Sequence, residues 1–142
     1  LQLHPRDTGG TFFEIDQQLG EGALNEDGPW HPAGPDWQRA KQLGRVKGIA
    51  AAEIQCDDPA SVSQRWAEIA QLPLDTSDGV SRIRFENAVV RFVACTDGRP
   101  EGLGGIDIET TNKAAILEAA AARGKVSGED QVYLCGMRMN LL

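Results

Sequence analysis

Two stretches of this chain lie over one another without a gap. Ile54 to Ala70 matches Ile108 to Gly124, with Asp58 over Asn112, Ala60 over Ala114 and Val62 over Ile116. Each copy reads strand, polar cap, helix, with strands to follow. Such a repeat constrains the fold more than any local pattern, because it implies two similar halves packed together. The linking peptides are too short for helical crossovers between all strands. The expected class is therefore α+β: paired βαβββ modules forming a curled, mixed and mostly antiparallel sheet, with one helix per module on the outside. Residues 45–142 carry this pair.

The local signals agree. Asp57-Asp58-Pro59 is an acidic cap followed by proline at the first helical position. The spacing of Val62, Trp66, Ile69 and Ala70 predicts a helix from Pro59 to about Ala70, stopped by Pro73. Asp75 to Gly79 reads as a turn. Ser81 to Phe85 alternates, with Ile83 and Phe85 on one face and Arg82 and Arg84 on the other. Glu86-Asn87 is a tight turn into a strand from Ala88 to Cys95, and Thr96 to Gly102 is a polar loop. The second copy opens with a strand at Leu103 to Ile108. Thr111 or Asn112 then caps a helix from Lys113 to Arg123, ended by Gly124, with Ile116, Leu117, Ala120 and Ala121 facing inward. Two strand pieces around Gly136 close the chain.

Upstream of the repeat lie two further pieces. Residues 17–44 are a connection broken by Gly20, Gly22, Gly28, Pro29, Pro32, Gly34 and Pro35. Its two tryptophans, Trp30 and Trp37, are unusual for a disordered linker, so it is expected to lie against the domain, with a short helix from Asp36 to Leu43. Residues 1–16 read as a short strand, a turn at Gly9-Gly10 and a strand from Thr11 to Ile15. A lone two-stranded hairpin is marginal in water, so this piece is expected to join a larger sheet, in the same chain or in a partner. Its odd residue is Glu14, an acid beside Phe12 and Phe13 on a strand expected to be buried, where it would need a metal, an arginine or a hydrogen-bond donor. The chain starts at Leu1 rather than Met, and its true start is expected to lie elsewhere.

Composition narrows the function classes. A net charge of -7 argues against a nucleic-acid surface and against docking on an anionic membrane. No apolar run is long enough to span a bilayer. Cys56, Cys95 and Cys135 are an odd set without CxxC spacing, expected as buried reduced thiols in a cytoplasmic protein.

The repeat, the Asp-Asp-Pro helix opening after Ile54, and His4-Pro-Arg-Asp-Thr-Gly-Gly-Thr-Phe-Phe-Glu14 together resemble the vicinal oxygen chelate superfamily. That group includes glyoxalase I, bleomycin-resistance proteins, extradiol dioxygenases and methylmalonyl-CoA epimerase; the first segment looks most like the epimerase. The resemblance implies that residues 1–16 are the closing hairpin of an incomplete module, with a longer parent protein. It implies one divalent metal ion in the cleft of the sheet, held by histidines of the opening strands and carboxylates or amides of the closing strands. The opening-strand places fall on Ala51 and Gly105, which offer no ligand. The closing-strand places fall on Glu14 and Asn140. His4 and His31 lie in a turn and in the proline-rich connection, so a set of about three protein ligands is not evident in the sequence.

Glu14 is the candidate metal ligand and catalytic proton-transfer base; the alternative is an acid paired with arginine or facing water. Candidate substrate-binding residues are Trp30, Glu53, Arg84, Arg91 and Asn140, with Arg138 also on a strand. Three readings stay open. The chain is a glyoxalase-like enzyme, a lyase or isomerase, acting on a small oxygenated molecule. Or it is a metal-free binding module using Trp30, Trp37, Phe12 or Phe92. Or it is a half-domain whose role is assembly, with a homodimer expected.

Overall fold

The computed structural model describes residues Leu1–Leu142. In chain order the elements are β1 (Gln2–Leu3), α1 (Pro5–Thr8), β2 (Phe13–Glu14), β3 (Val46–Cys56), α2 (Pro59–Ala70), β4 (Leu74–Asp75), β5 (Ser81–Arg84), β6 (Val89–Ala94), β7 (Gly102–Thr110), α3 (Lys113–Ala121), β8 (Val126–Gly128), β9 (Gln131–Leu134) and β10 (Met137–Leu141). Two single 3-10 turns, His31–Ala33 and Trp37–Ala40, punctuate the connection.

Eight strands form one mixed sheet in the order β4-β5-β6-β3-β7-β10-β9-β8. Only β3 with β6 and β7 with β10 run parallel; every other neighbouring pair is antiparallel. Each half is a βαβββ module, and the halves meet antiparallel at β3 and β7. The register at this seam is symmetric: Ala51 faces Asp107, and Glu53 faces Gly105. A twofold through the seam thus relates Ala51 to Gly105 and Glu53 to Asp107, and continues the sequence repeat upstream by several residues.

The two helices start alike. Asp58 accepts a hydrogen bond from the Ser61 amide at 3.0 Å, and Asn112 accepts one from the Ala115 amide at 3.0 Å. Each cap satisfies one of the free N–H groups of a first turn. They bury different amounts. Helix α2 carries Trp66 and Ala67 into a core with Ile54, Cys56, Ile83, Phe92 and Phe13. Helix α3 has no fully buried residue, and Ala121 is exposed where the sequence pattern placed it inward. The reason is size: Ala120 occupies the repeat position of Trp66, and a methyl group cannot bridge to the sheet. Phe92, a cleft candidate, instead lies under α2. The turn expected over Asp75 to Gly79 is present from Thr76, where the Gly79 amide donates to the Thr76 carbonyl at 3.2 Å, and the two-residue strand β4 precedes it.

Residues 1–16 do not join the large sheet. β1 and β2 form their own two-stranded ribbon, which clasps α2 from outside. Phe13 stacks on Trp66 with ring centroids 4.4 Å apart and 2° between planes, and the Trp66 indole donates to the Thr8 carbonyl at 2.8 Å. Gly9 ends α1 at φ 72°, and a Cβ there would lie 2.7 Å from a Val62 methyl. A two-residue strand has little ladder to offer another strand, so the aromatic stack places the ribbon. Side chains alternate across it, which points Phe13 inward and leaves Glu14 exposed rather than buried.

The connection folds on itself. The Trp37 indole donates to the Gly28 carbonyl at 3.2 Å, and Lys41 pairs with Asp27 at 2.5 Å and lies 5.8 Å from the Trp37 ring. Asp36 makes no side-chain cap, and the expected helix is a single 3-10 turn. The cysteines differ from expectation too: Cys56 is buried, Cys95 is partly exposed, and Cys135 is exposed in the β9–β10 turn at φ 53°. Burial pushes the Cys56 thiol up to about 12. No helix is long and apolar enough to cross a membrane.

Candidate functional site

Strand alternation that sends Ile54, Cys56 and Phe92 under α2 sends Glu53, Gln55 and Arg91 to the opposite face. On that face the central strands bring charges together. Glu53 is opposite Arg91 on β6, and Asp107 is opposite Asn140 on β10. Arg91 donates through Nε to Glu53 at 3.0 Å and through Nη2 to Asp107 at 2.7 Å, with Nη1 also on Asp107. Arg138 donates to Glu53 at 2.6 and 3.1 Å, to Gln55 at 3.0 Å, and to Asp97. Asn140 donates to Asp107 at 2.7 Å and accepts from Gln131 at 2.7 Å. Arg99, on the loop joining the modules, reaches Asp97 at 2.6 Å, the Gly104 carbonyl at 2.7 Å and the Gly136 carbonyl at 2.5 Å.

Three carboxylates and three guanidiniums therefore share one network, and their formal charges cancel. The acids Glu53 and Asp107 occupy twofold-related places; the arginines do not. Arg91 stands at the place of Asn140, and Arg138 at the place of Val89. Each half lends a cation to the other: Arg91 crosses to Asp107, and Arg138 crosses to Glu53. Backbone geometry makes room. β7 carries one extra residue, Gly104, between the pairs Glu53–Gly105 and Ile54–Leu103. A Cβ on Gly105 would sit 2.9 Å from the Arg138 carbonyl oxygen, so a side chain there would push β10 away.

The network sets the titration of its members. Burial works against the charged form of Asp107, but hydrogen bonds from Arg91 and Asn140 prevail and hold it below the ordinary carboxylate range. Hydrogen bonding from Arg99 holds Asp97 well below that range. The Arg91 guanidinium is held further up, first by its hydrogen bonds to Asp107. No buried side-chain nitrogen or oxygen lacks a partner.

Of the candidates read from sequence, Glu53, Arg91 and Asn140 meet in this network. Arg84 is at the sheet margin, 63% exposed and 3.0 Å from Asp75, whose carboxyl is lowered to about 2, mainly by hydrogen bonds from Ser77. Trp30 lines a recess of about 300 Å³ within the connection, together with Trp37 and Glu26. Glu14 lies on the outer ribbon with no side-chain hydrogen bond or ion pair. Sequence reasoning missed Asp107, Asp97, Arg99 and Gln55. The repeat could have shown the first: one residue upstream of Ile54 and Ile108, it pairs Glu53 with Asp107.

The residues present do not fit a divalent ion. The opening-strand places are Ala51 and Gly105; because Glu14 stands on the separate ribbon, the closing-strand places in the sheet are Arg91 and Asn140, which leaves one amide oxygen. The nearby acids Glu53 and Asp107 are bound by arginine, and no group of three His, Cys, Asp or Glu residues converges anywhere in the chain. A cation entering between them would meet the positive charge of Arg91.

No protein-family model matches the chain, and no curated protein matches it. Solved structures do resemble its fold. A hypothetical protein from Staphylococcus aureus is similar at TM-score 0.50 and 8% identity over 74% of this chain, which spans only 36% of that protein. Methylmalonyl-CoA epimerase from Mycobacterium tuberculosis is similar at TM-score 0.48 and 12% identity, over 71% of this chain and 90% of that one. The Streptomyces coelicolor epimerase, in complex with 2-nitronate-propionyl-CoA, follows at TM-score 0.43 and 11% identity, over 68% and 96%. These likenesses are of fold.

Proposed function

We propose that the chain is a glyoxalase-like module that binds a small oxygenated organic molecule on the face of its sheet opposite α2 without a metal ion. The observation that carries this reading is the state of Arg91. A guanidinium has five N–H groups. Hydrogen bonds to Glu53 and Asp107 use three of them. Nη2 also lies 2.9 Å from Glu53, so the N–H left over is on Nη1, held in place for a carbonyl, hydroxyl or carboxylate oxygen on a side chain that is 17% exposed. A rigid fork suits planar oxygen groups better than a flexible ammonium does. Glu53, Arg91, Arg138 and Asn140 form the polar floor, and no catalytic step is assigned to it. Glu14, Trp30 and Arg84 have no part in this reading.

The test is arginine side-chain NMR of the whole chain, titrated with small carbonyl and carboxylate compounds with and without a chelator. The expected result is a shift confined to the Arg91 and Arg138 signals, unchanged by chelator and lost in Arg91→Lys. Binding that chelator abolishes would overturn the proposal, as would shifts that leave those two signals still. Elemental analysis of the purified protein should find no stoichiometric divalent metal.

A further inference from the structure

Only 17 of 142 residues are buried, and the chain exposes 9359 Å². A compact monomer of 15.3 kDa would expose about 7,100 Å². The excess is larger than the roughly 800 Å² that each partner gives to a standard interface. Two parts of the surface contribute to its apolar share.

The first is the outer face of the second module. Where α2 meets the sheet, Trp66 fills the gap and the ribbon of residues 1–16 covers it. Where α3 meets the sheet, Ala120 leaves a groove of about 240 Å³ lined by Ile116, Ala119, Ala120, Val132 and Leu134. Arg123 and Lys125 stand at its rim, and neither forms an ion pair. The second is the stretch from Phe12 to Leu24. Phe12 is 57% exposed, Ile15 48%, Leu19 76% and Leu24 99%. From Phe12 to Asp27 the chain holds Glu14, Asp16, Glu21, Glu26 and Asp27, and no lysine or arginine.

An apolar groove with a basic rim and an apolar stretch with acidic flanks are complementary in both shape of chemistry and sign of charge. The first module already shows how such a groove is closed, by an aromatic of this same segment. We propose that the α3 groove receives the Phe12–Leu24 stretch of a second copy of this chain. Each copy offers both halves of the contact, so two copies can exchange segments about a twofold axis and leave neither surface exposed.

Sedimentation equilibrium of the full chain across the micromolar range tests this, with two variants. Phe12→Ser with Leu24→Ser removes side chains that touch little within one copy, so helix content should stay as in the wild type. Ala120→Trp fills the groove with the residue that fills it in the other half. The wild type should be a dimer weakened by salt, and each variant should dissociate at least about tenfold more readily, or 1.4 kcal/mol. A monomer throughout would overturn the inference. A dimer indifferent to both variants would also overturn it, because its interface would lie elsewhere.

Discussion

Arg91 holds apart two acids that repel one another. Without it, Glu53 and Asp107 would face across the seam with Asn140 beside them and only Arg138 in reach of Glu53. Leaving the largely buried Asp107 carboxylate without its guanidinium costs about 3 kcal/mol. Arg91→Ala should therefore unfold at lower urea than the wild type. It should also gain what the wild type lacks. Added zinc should raise the thermal midpoint of the variant and leave that of the parent unmoved, because two carboxylates and an amide oxygen approach a workable ligand set. A variant whose midpoint ignores zinc would show that the carboxylates do not converge once the guanidinium is gone.

At the scale of elements, the two helices begin with equivalent caps yet carry unequal weight. Trp66 holds α2 to the sheet and the terminal ribbon to α2, so Trp66→Ala should cost about 3–5 kcal/mol. It should also free residues 1–16, read as faster tryptic cleavage after Arg6. Removal of the Asn112 cap should cost only about 1 kcal/mol. This inequality was half visible in the sequence. Caps, helix spans and the pairing of two βαβββ modules follow from Asp58-Pro59, Asn112 and the apolar spacing. The ribbon's docking did not, because a stack between Phe13 and Trp66 joins residues far apart in the chain and leaves no periodic trace. Nor did the network. Asp97 and Arg99 look like any polar loop until the fold brings that loop over Gln55 and Arg138.

For the molecule as a whole, the depressed carboxylates link folding to pH. Asp97 and Asp107 lie below their ordinary value when folded. Their contribution is complete above the unfolded value of about 4 and is lost as pH falls through the folded values. Urea midpoints should thus be level near neutrality and fall as pH drops below about 4. In Asp97→Asn the neutral midpoint should be lower and the acid decline shallower. An acid decline as steep as the parent's would place the linkage elsewhere.

The crossed loan of cations also bears on how such a chain can change over generations. A gene doubling yields two interchangeable copies, either free to decay. Once Arg91 answers an acid of the other copy and Arg138 answers in return, neither copy can be shed or rewritten alone. Substitutions at these four places become tolerable only in company, and the order in which they arise begins to matter.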